Sequence, residues 1–225
     1  MNPVNVNAFD ILGGMAAAGK IAFGAAVCYS AAGTVKGTPN TTAGEENLLG
    51  IADWDLVEKT EDGFYSLYDL VPIIPAGRCR VWVTPDDDNA SIIAGDYLSL
   101  KILGAGSNTL PVGVFAESGN GAGAVKELNS TAKAAEDVTL TSAANYIIVA
   151  AALAVGGVTV TVADSSLFAA GDYIVLEDID GNAMMNRVKA LPSATTLTLQ
   201  IASTVALEDA TDYVHILAQC EVMLL

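Results

Sequence analysis

The sequence predicts an all-β protein: two small β-barrel or sandwich modules, the second inserted in a loop of the first, with an extended N-terminal arm. Three observations carry this. The segment S-I-I-A-G-D-Y-L-S-L-K-I at 91–102 returns as S-L-F-A-A-G-D-Y-I-V-L-E at 166–177. In both copies a small apolar run enters a Gly-Asp turn and leaves into an alternating strand. Glycine supplies the backbone freedom the bend needs, and aspartate bonds nearby backbone. Strict alternation recurs at Val158–Val162 and at Leu197–Ile201, which is the period of a half-buried strand. Asp62-Gly63 and Asp180-Gly181 are hairpin signals, because such pairs tolerate the positive φ of tight turns. A weaker third copy of the repeat is read at Pro75-Ala76-Gly77, ahead of Arg78–Val83.

Taken in order, residues 1–20 are rich in glycine and alanine without a clear period. They read as an arm that needs a partner, on a neighbouring subunit or on this domain. Ile21–Ser30 is the first expected strand, and 31–50 is a Gly/Thr-rich loop. Ile51–Thr60 and Phe64–Val71 pair around the turn at Asp62-Gly63. Pro72–Gly77 forms a corner, and Arg78–Thr84 is a strand carrying Trp82. Tyr97–Leu103 and Leu110–Glu117 follow. Residues 125–137 are polar and read as a short helix or linker. The second module then runs through Val138–Leu140, Tyr146–Ala154 (within an apolar run, Tyr146–Val155, read as a buried strand or two strands around a bend, with a short buried helix as the competitor), Val158–Val162, Tyr173–Asp178, Ala183–Ala190 and Leu197–Ile201. Tyr213–Leu217 and Cys220–Leu225 close the chain.

An open edge after Val112–Glu117 needs a partner. Cys220–Leu225 supplies one if the second module is an insertion. The expected division is therefore an arm at 1–20, a first barrel at 21–136 plus 217–225, and an inserted β-domain at 137–216. Two tandem modules are the alternative.

Lys plus Arg total 10 against 26 Asp plus Glu, a net charge of −16. Such a chain repels nucleic acid and anionic membranes. Neither is expected as a partner. The N-terminus lacks a basic region, and the apolar stretch Ile11–Val27 is broken by glycines and Lys20. No secretory signal or membrane span is expected. Cys28, Cys79 and Cys220 are far apart and odd in number, so buried thiols are expected rather than a zinc site or a disulfide framework.

Candidate chemistry is sparse. Asp86-Asp87-Asp88 invites a cation, but consecutive side chains do not converge, and a solvated turn is the preferred reading. Asp178-x-Asp180-Gly181 is a fragment of a calcium loop with the wrong residues at its ends, Leu176 and Arg187. His215 is the only histidine and lies inside an apolar strand. Asp53 and Asp55 flank Trp54 on one strand face, a pair that a glycosidase also uses. No Ser/His/Asp set, G-x-S-x-G or phosphate-cradling loop occurs. No enzyme, metal or cofactor is expected.

The first module resembles a known family. G-K-I-A-F-G-A-A-V-C-Y-S, I-A-D-W-D-L-V-E-K-T, V-P-I-I-P-A-G-R-C-R-V-W-V, I-I-A-G-D-Y-L-S-L-K, V-G-V-F-A-E-S-G-N-G-A-G and the terminal C-E-V-M-L-L occur in that order. They are similar to the small capsid decoration (cement) proteins of tailed phages and related archaeal viruses. Residues 137–216 fill the gap before the last strand, a departure that fits an inserted outer domain.

The resemblance implies a structural virion protein, made in the host cytoplasm, that binds the outside of an expanded icosahedral capsid as a homotrimer. Its partner would be the major capsid protein. The arm residues Val4, Phe9, Ile11 and Leu12 are the expected capsid or subunit contacts. The competing expectation is a receptor- or glycan-binding head fibre or turret protein, for which exposed aromatics on the second module would speak. A main shell or tail-tube subunit is disfavoured, because no long helix is expected.

Overall fold

The computed structural model describes residues 12–29, 34–37, 48–53, 63–84, 91–103, 114–117, 126–139 and 146–225. All regular structure among them is β-strand. The strands, numbered in chain order, form three bodies.

The N-terminal body is an antiparallel sheet of five strands: β1 (Leu12–Ala16), β3 (Ala26–Tyr29), β4 (Val35–Gly37), β5 (Leu48–Ala52) and β7 (Leu70–Ile74). Their order is β1-β7-β5-β3-β4. The sheet curls until its outer strands meet. Ala17 forms a bridge with Val35, and Ala18 N donates to Val35 O at 2.7 Å. Curling covers edges that would otherwise be open to pairing with another chain. A short ladder of β2 (Ile21–Ala22) and β6 (Phe64–Tyr65) lies beside it.

The first barrel is closed in the order β10-β11-β8-β20-β12. Its strands are β8 (Gly77–Val83), β10 (Tyr97–Leu103), β11 (Phe115–Glu117), β12 (Lys126–Ala134) and β20 (Ala218–Leu224). The C-terminal strand pairs along its whole length with β8, from Gly77↔Leu224 to Val83↔Ala218. A two-stranded ladder of β9 (Ser91–Ile92) and β13 (Val138–Thr139) accompanies it.

The second barrel is closed by β14 (Tyr146–Ala151), β15 (Thr159–Val162), β18 (Thr196–Leu199), β17 (Ala183–Ser193), β16 (Tyr173–Glu177) and β19 (Tyr213–Ile216). All six lie between β13 and β20 in the chain. The long strand β17 serves two neighbours, pairing with β16 up to Arg187 and with β18 from Val188 on. The barrel has its own core, with Val149, Val160, Leu176, Leu197 and Val214 among its members. Strand β16 is buried on both faces. Ile174 and Leu176 point into the barrel, while Tyr173 and Val175 join a separate cluster with the N-terminal body.

The repeated Gly-Asp turn has the same hydrogen bonds in both barrels. Asp96 Oδ2 accepts from Ile93 N at 2.8 Å, and Asp172 Oδ2 accepts from Ala169 N at 2.7 Å. Gly95 N donates to Ala134 O, and Ala134 N returns to Asp96 O, each at 2.9 Å. Gly171 and Asp172 exchange the same two bonds with Val188 at 2.8 Å. The glycines adopt φ of 105° and 103°.

Pro75-Ala76-Gly77 is the corner from β7 to β8, with Gly77 at φ 99° as in the two full copies but with no aspartate after it to complete the turn's bonds; the full bond pattern recurs elsewhere. A third copy of those bonds is Ser66-Leu67-Tyr68-Asp69, where Asp69 Oδ2 accepts from Ser66 N at 2.6 Å and Ala17 supplies the two return bonds. A wider fourth copy spans Glu208–Asp212, with Asp212 Oδ2 accepting from Glu208 N at 2.5 Å and Val149 as the partner. Tyr68 (φ 71°) and Ala210 (φ 61°) stand where the other copies have glycine. They are the two non-glycine residues with positive φ among the described residues.

Other expectations change as well: the loop expected at 31–50 holds β4 and the start of β5, and the strand expected at Phe64–Val71 is β6 and the start of β7, separated by the turn at 66–69. Residues 125–137 form no helix: Lys126–Ala134 is β12, paired with β10 and β20. Its described core-facing residues are Ala132 and Ala134, with Lys133 exposed between them. Alanine on the buried face gives no strand signal, because alanine is also the best helix former. Ile21–Ser30 is not one strand but β2 and β3, separated at Gly24 (φ 74°). The corner expected at 72–77 is shorter, since β7 runs to Ile74. The apolar run 146–155 is not one buried strand: β14 ends at Ala151, and the buried Leu153 forms a separate bridge with Leu207. Within β14 only Val149 is buried, and Ile148 is 43% exposed.

Candidate interaction site at the junction of the N-terminal body and the second barrel

Trp82 on β8 and Tyr173 on β16 meet where the three bodies join. Their rings stack at 4.4 Å between centroids and 26° between planes. Phe64 lies 6.0 Å from the same tyrosine. The polar tips are tied down as burial requires. Trp82 Nε1 donates to Phe23 O at 2.6 Å, and Tyr173 Oη donates to Gly63 O at 3.0 Å. Gly63 is required twice over. Its φ is 80°, and a Cβ there would lie 2.0 Å from Tyr173 Oη. The guanidinium of Arg187 also lies over the Tyr173 ring, 5.6 Å from its centre, held by Nε donating to Gly171 O at 2.9 Å. The second barrel is thereby seated on the rest of the molecule by a continuous apolar cluster that includes Ala22, Phe64, Trp82, Tyr173, Val175 and Met185.

Beside this seam a groove of about 900 Å³ opens between the two bodies. One side comes from β2, β4 and the segments on either side of β2, with Lys20, Ile21, Ala25 and Lys36. The other comes from the β16–β17 turn, β17 and the segment after β18, with Asp178, Met184, Ile201 and Val205. Lys20 Nζ donates to Ser66 Oγ at 3.1 Å. Asp178 is engaged by its own turn: Oδ1 accepts from Asp180 N at 3.0 Å and Asn182 N at 2.8 Å, and Oδ2 from Asn182 Nδ2 at 2.7 Å. Those contacts make the Asp178–Gly181 segment a hairpin turn. Two of the chain's ten cationic side chains thus line a groove in a protein of net charge −16.

The remaining candidate residues are dispersed. Val4, Phe9, Ile11, Trp54, Asp55 and Asp86–Asp88 lie outside the described residues. Leu12 opens β1 opposite Ile73. Among the described residues no three metal-ligating side chains cluster. His215 is fully buried on the outer face of the second barrel, its Nε2 3.2 Å from Glu177 Oε2. The contact lacks hydrogen-bond geometry, and both imidazole nitrogens and that oxygen are without hydrogen-bond partners. Tyr146 and Tyr213 each stand 6.0 Å from the ring. Cys28, Cys79 and Cys220 are buried free thiols. Burial pushes Cys79 up to about 12 and Cys220 up to about 11, with the nearby Asp53 and Glu221 adding to the first and Glu136 to the second.

Sequence reasoning placed Trp82 and Tyr173 on strands but did not bring them together. The available signal was the tyrosine repeated after each Gly-Asp turn. Nothing in the sequence marks the groove, whose walls are far apart in the chain. Compared with known proteins, the chain matches no family model and no curated protein.

Proposed function

We propose that this chain is a structural virion protein that binds the outer surface of an expanded icosahedral capsid and stabilises it. The first barrel and the N-terminal body would face the shell, and the second barrel would project outward. The observation that carries the reading is the seating of the second barrel. The chain leaves the first barrel after β13, builds an independent closed barrel, and returns through β20 to pair with β8. The inserted unit is locked at Trp82 and Tyr173, so it is held at a fixed angle and not tethered by a linker. A rigid outward display suits a particle coat. The ordered family motifs of the first module support the same reading.

The glycan-binding alternative receives less support. Of the aromatics in the second barrel, Phe168 and Tyr173 are buried, and Tyr146 and Tyr213 are half-buried against each other at 5.3 Å. None offers an open ring face of the kind a sugar stacks on.

The test is co-sedimentation of the purified chain with expanded shells of its source virus, with its oligomeric mass measured alongside. Saturable binding by a trimer is expected. A soluble monomer that ignores shells overturns the reading and makes glycan binding the next assay.

A further inference from the structure

We propose that the exposed turn at Ser66–Leu70 is an anchor that docks into an apolar recess of the shell protein. The inference rests on the coat reading above and names the part of the chain that makes the contact.

The copies of the Gly-Asp turn serve as controls for one another. The bonds at Ile93–Asp96 and at Ala169–Asp172 enclose Ala94-Gly95 and Ala170-Gly171. The same bonds at Ser66–Asp69 enclose Leu67 and Tyr68, and Leu70 follows the aspartate. Leu67, Tyr68 and Leu70 are 51%, 75% and 68% exposed. The fold requires no such bulk at the apex, because two other turns make these bonds with alanine and glycine. Tyr68 is also a poor fit to its backbone. Its φ is 71°, a region where the Cβ is crowded and bulky residues are rare. No hydrogen bond or ring contact of its side chain offsets that strain among the described residues. Backbone strain that the fold does not need points to a use outside the chain.

Size and chemistry select the occupant. The three side chains together expose roughly 400 Å², the scale of a patch that marks a binding site. A stable interface takes about 800 Å² from each partner. The turn is therefore too small to hold a second copy face to face, and it suits a single anchor that fills a recess within a larger contact. A sugar stacked on Tyr68 would need polar groups around the ring, and the nearest ones are engaged. Asp69 Oδ2 accepts from Ser66 N at 2.6 Å, and Ser66 Oγ accepts from Lys20 Nζ at 3.1 Å. An anionic bilayer is repelled by the net charge of −16. An apolar pocket in a protein remains, and the exposed Lys20 beside the turn favours carboxylates at its rim. The anchor is also preorganised. Tyr68 N donates to Ala17 O and Ala17 N to Asp69 O, each at 2.9 Å, so little backbone freedom is lost on docking.

The experiment uses the full chain and expanded shells of its source virus. Co-sedimentation is run on the wild type, on Leu67→Ala/Tyr68→Gly and on Tyr68→Asn. The double variant gives this turn the residues of the other two copies. Asparagine removes the ring and tolerates a left-handed backbone. Both variants are expected to bind shells at least tenfold more weakly than the wild type. Both are expected to melt at or above the wild-type temperature and to keep its oligomeric mass in free solution. A loss smaller than tenfold in either variant overturns the inference and leaves the coat reading intact. A loss that comes with a lower melting temperature assigns the tyrosine to the fold, and one that comes with a changed mass assigns the turn to a second copy; either overturns the inference. A wild type that ignores shells overturns the coat reading and this inference with it.

Discussion

The two barrels share one turn and use the tyrosine after it in opposite ways. At Gly95-Asp96 and at Gly171-Asp172 the backbone bonds correspond one for one. Tyr97 then stands 52% exposed, with Lys133 Nζ 5.4 Å from its ring centre. Tyr173 is buried in the seam, stacked on Trp82 and bonded to Gly63. The local sequence fixes the turn, but the neighbouring body decides what the next side chain does. The first barrel leaves that face open, while the second barrel has the N-terminal body against it.

Replacing each tyrosine tests this difference most strongly. Tyr173→Ala empties the seam and leaves Gly63 O without that donor, and is expected to cost about 3–5 kcal/mol, as large aromatic-to-alanine changes in cores do. Tyr97→Ala is expected to cost less than about 1 kcal/mol, since it loses an exposed cation–π contact. Chemical denaturation of the two variants reads the contrast directly. Equal losses would mean that the seam contributes nothing beyond the turn.

A smaller effect separates turns that have glycine from those that do not. Gly171→Ala is expected to destabilise by about 1–2 kcal/mol, the cost of a left-handed backbone for a residue with a Cβ. Tyr68 already bears that cost at φ 71°, with its side chain 75% exposed. Tyr68→Gly should therefore stabilise. The gain is at most about 1 kcal/mol, because glycine also loosens the unfolded chain by about 0.4–1 kcal/mol. Near 225 residues each kcal/mol moves Tm by about 2–4 °C. A fall in Tm on Tyr68→Gly would show that the tyrosine makes a contact that outweighs its backbone.

The smallest effect near neutral pH is chemical. Cys79 and Cys220 belong to the first barrel, and residues 146–217 contain no cysteine. In the fold their thiols hold their protons to about 12 and about 11, against an ordinary value of 9.0. Above about pH 9 the unfolded chain releases those protons while the folded chain keeps them, so stability falls as pH rises. Below that pH the contribution is constant. Denaturation curves between neutral pH and pH 10.5 should show the decline in the wild type and a shallower one in Cys79→Ala/Cys220→Ala. Parallel curves would assign the alkaline loss to other groups.

The strand class and most turns are legible from the order of the residues alone. Val158–Val162 and Leu197–Ile201 alternate because each strand has one face toward a barrel core, and Gly95, Gly171 and Gly181 announce left-handed turns that few other residues take. Ser66–Asp69 stayed hidden because the turn is built by hydrogen bonds from Asp69 and Ala17, and Tyr68 occupies the position that glycine would have signalled. Strand β12 stayed hidden because alanine on a core face looks the same as alanine in a helix. That the described residues of 12–84 divide between a curled sheet and a barrel strand emerges only from the folded chain. Folding also brought Gly63, Trp82 and Tyr173 together and opened a groove between Lys36 and Met184. Those outcomes depend on contacts between residues far apart in the chain, and periodicity records only which face of a strand is buried, not what buries it.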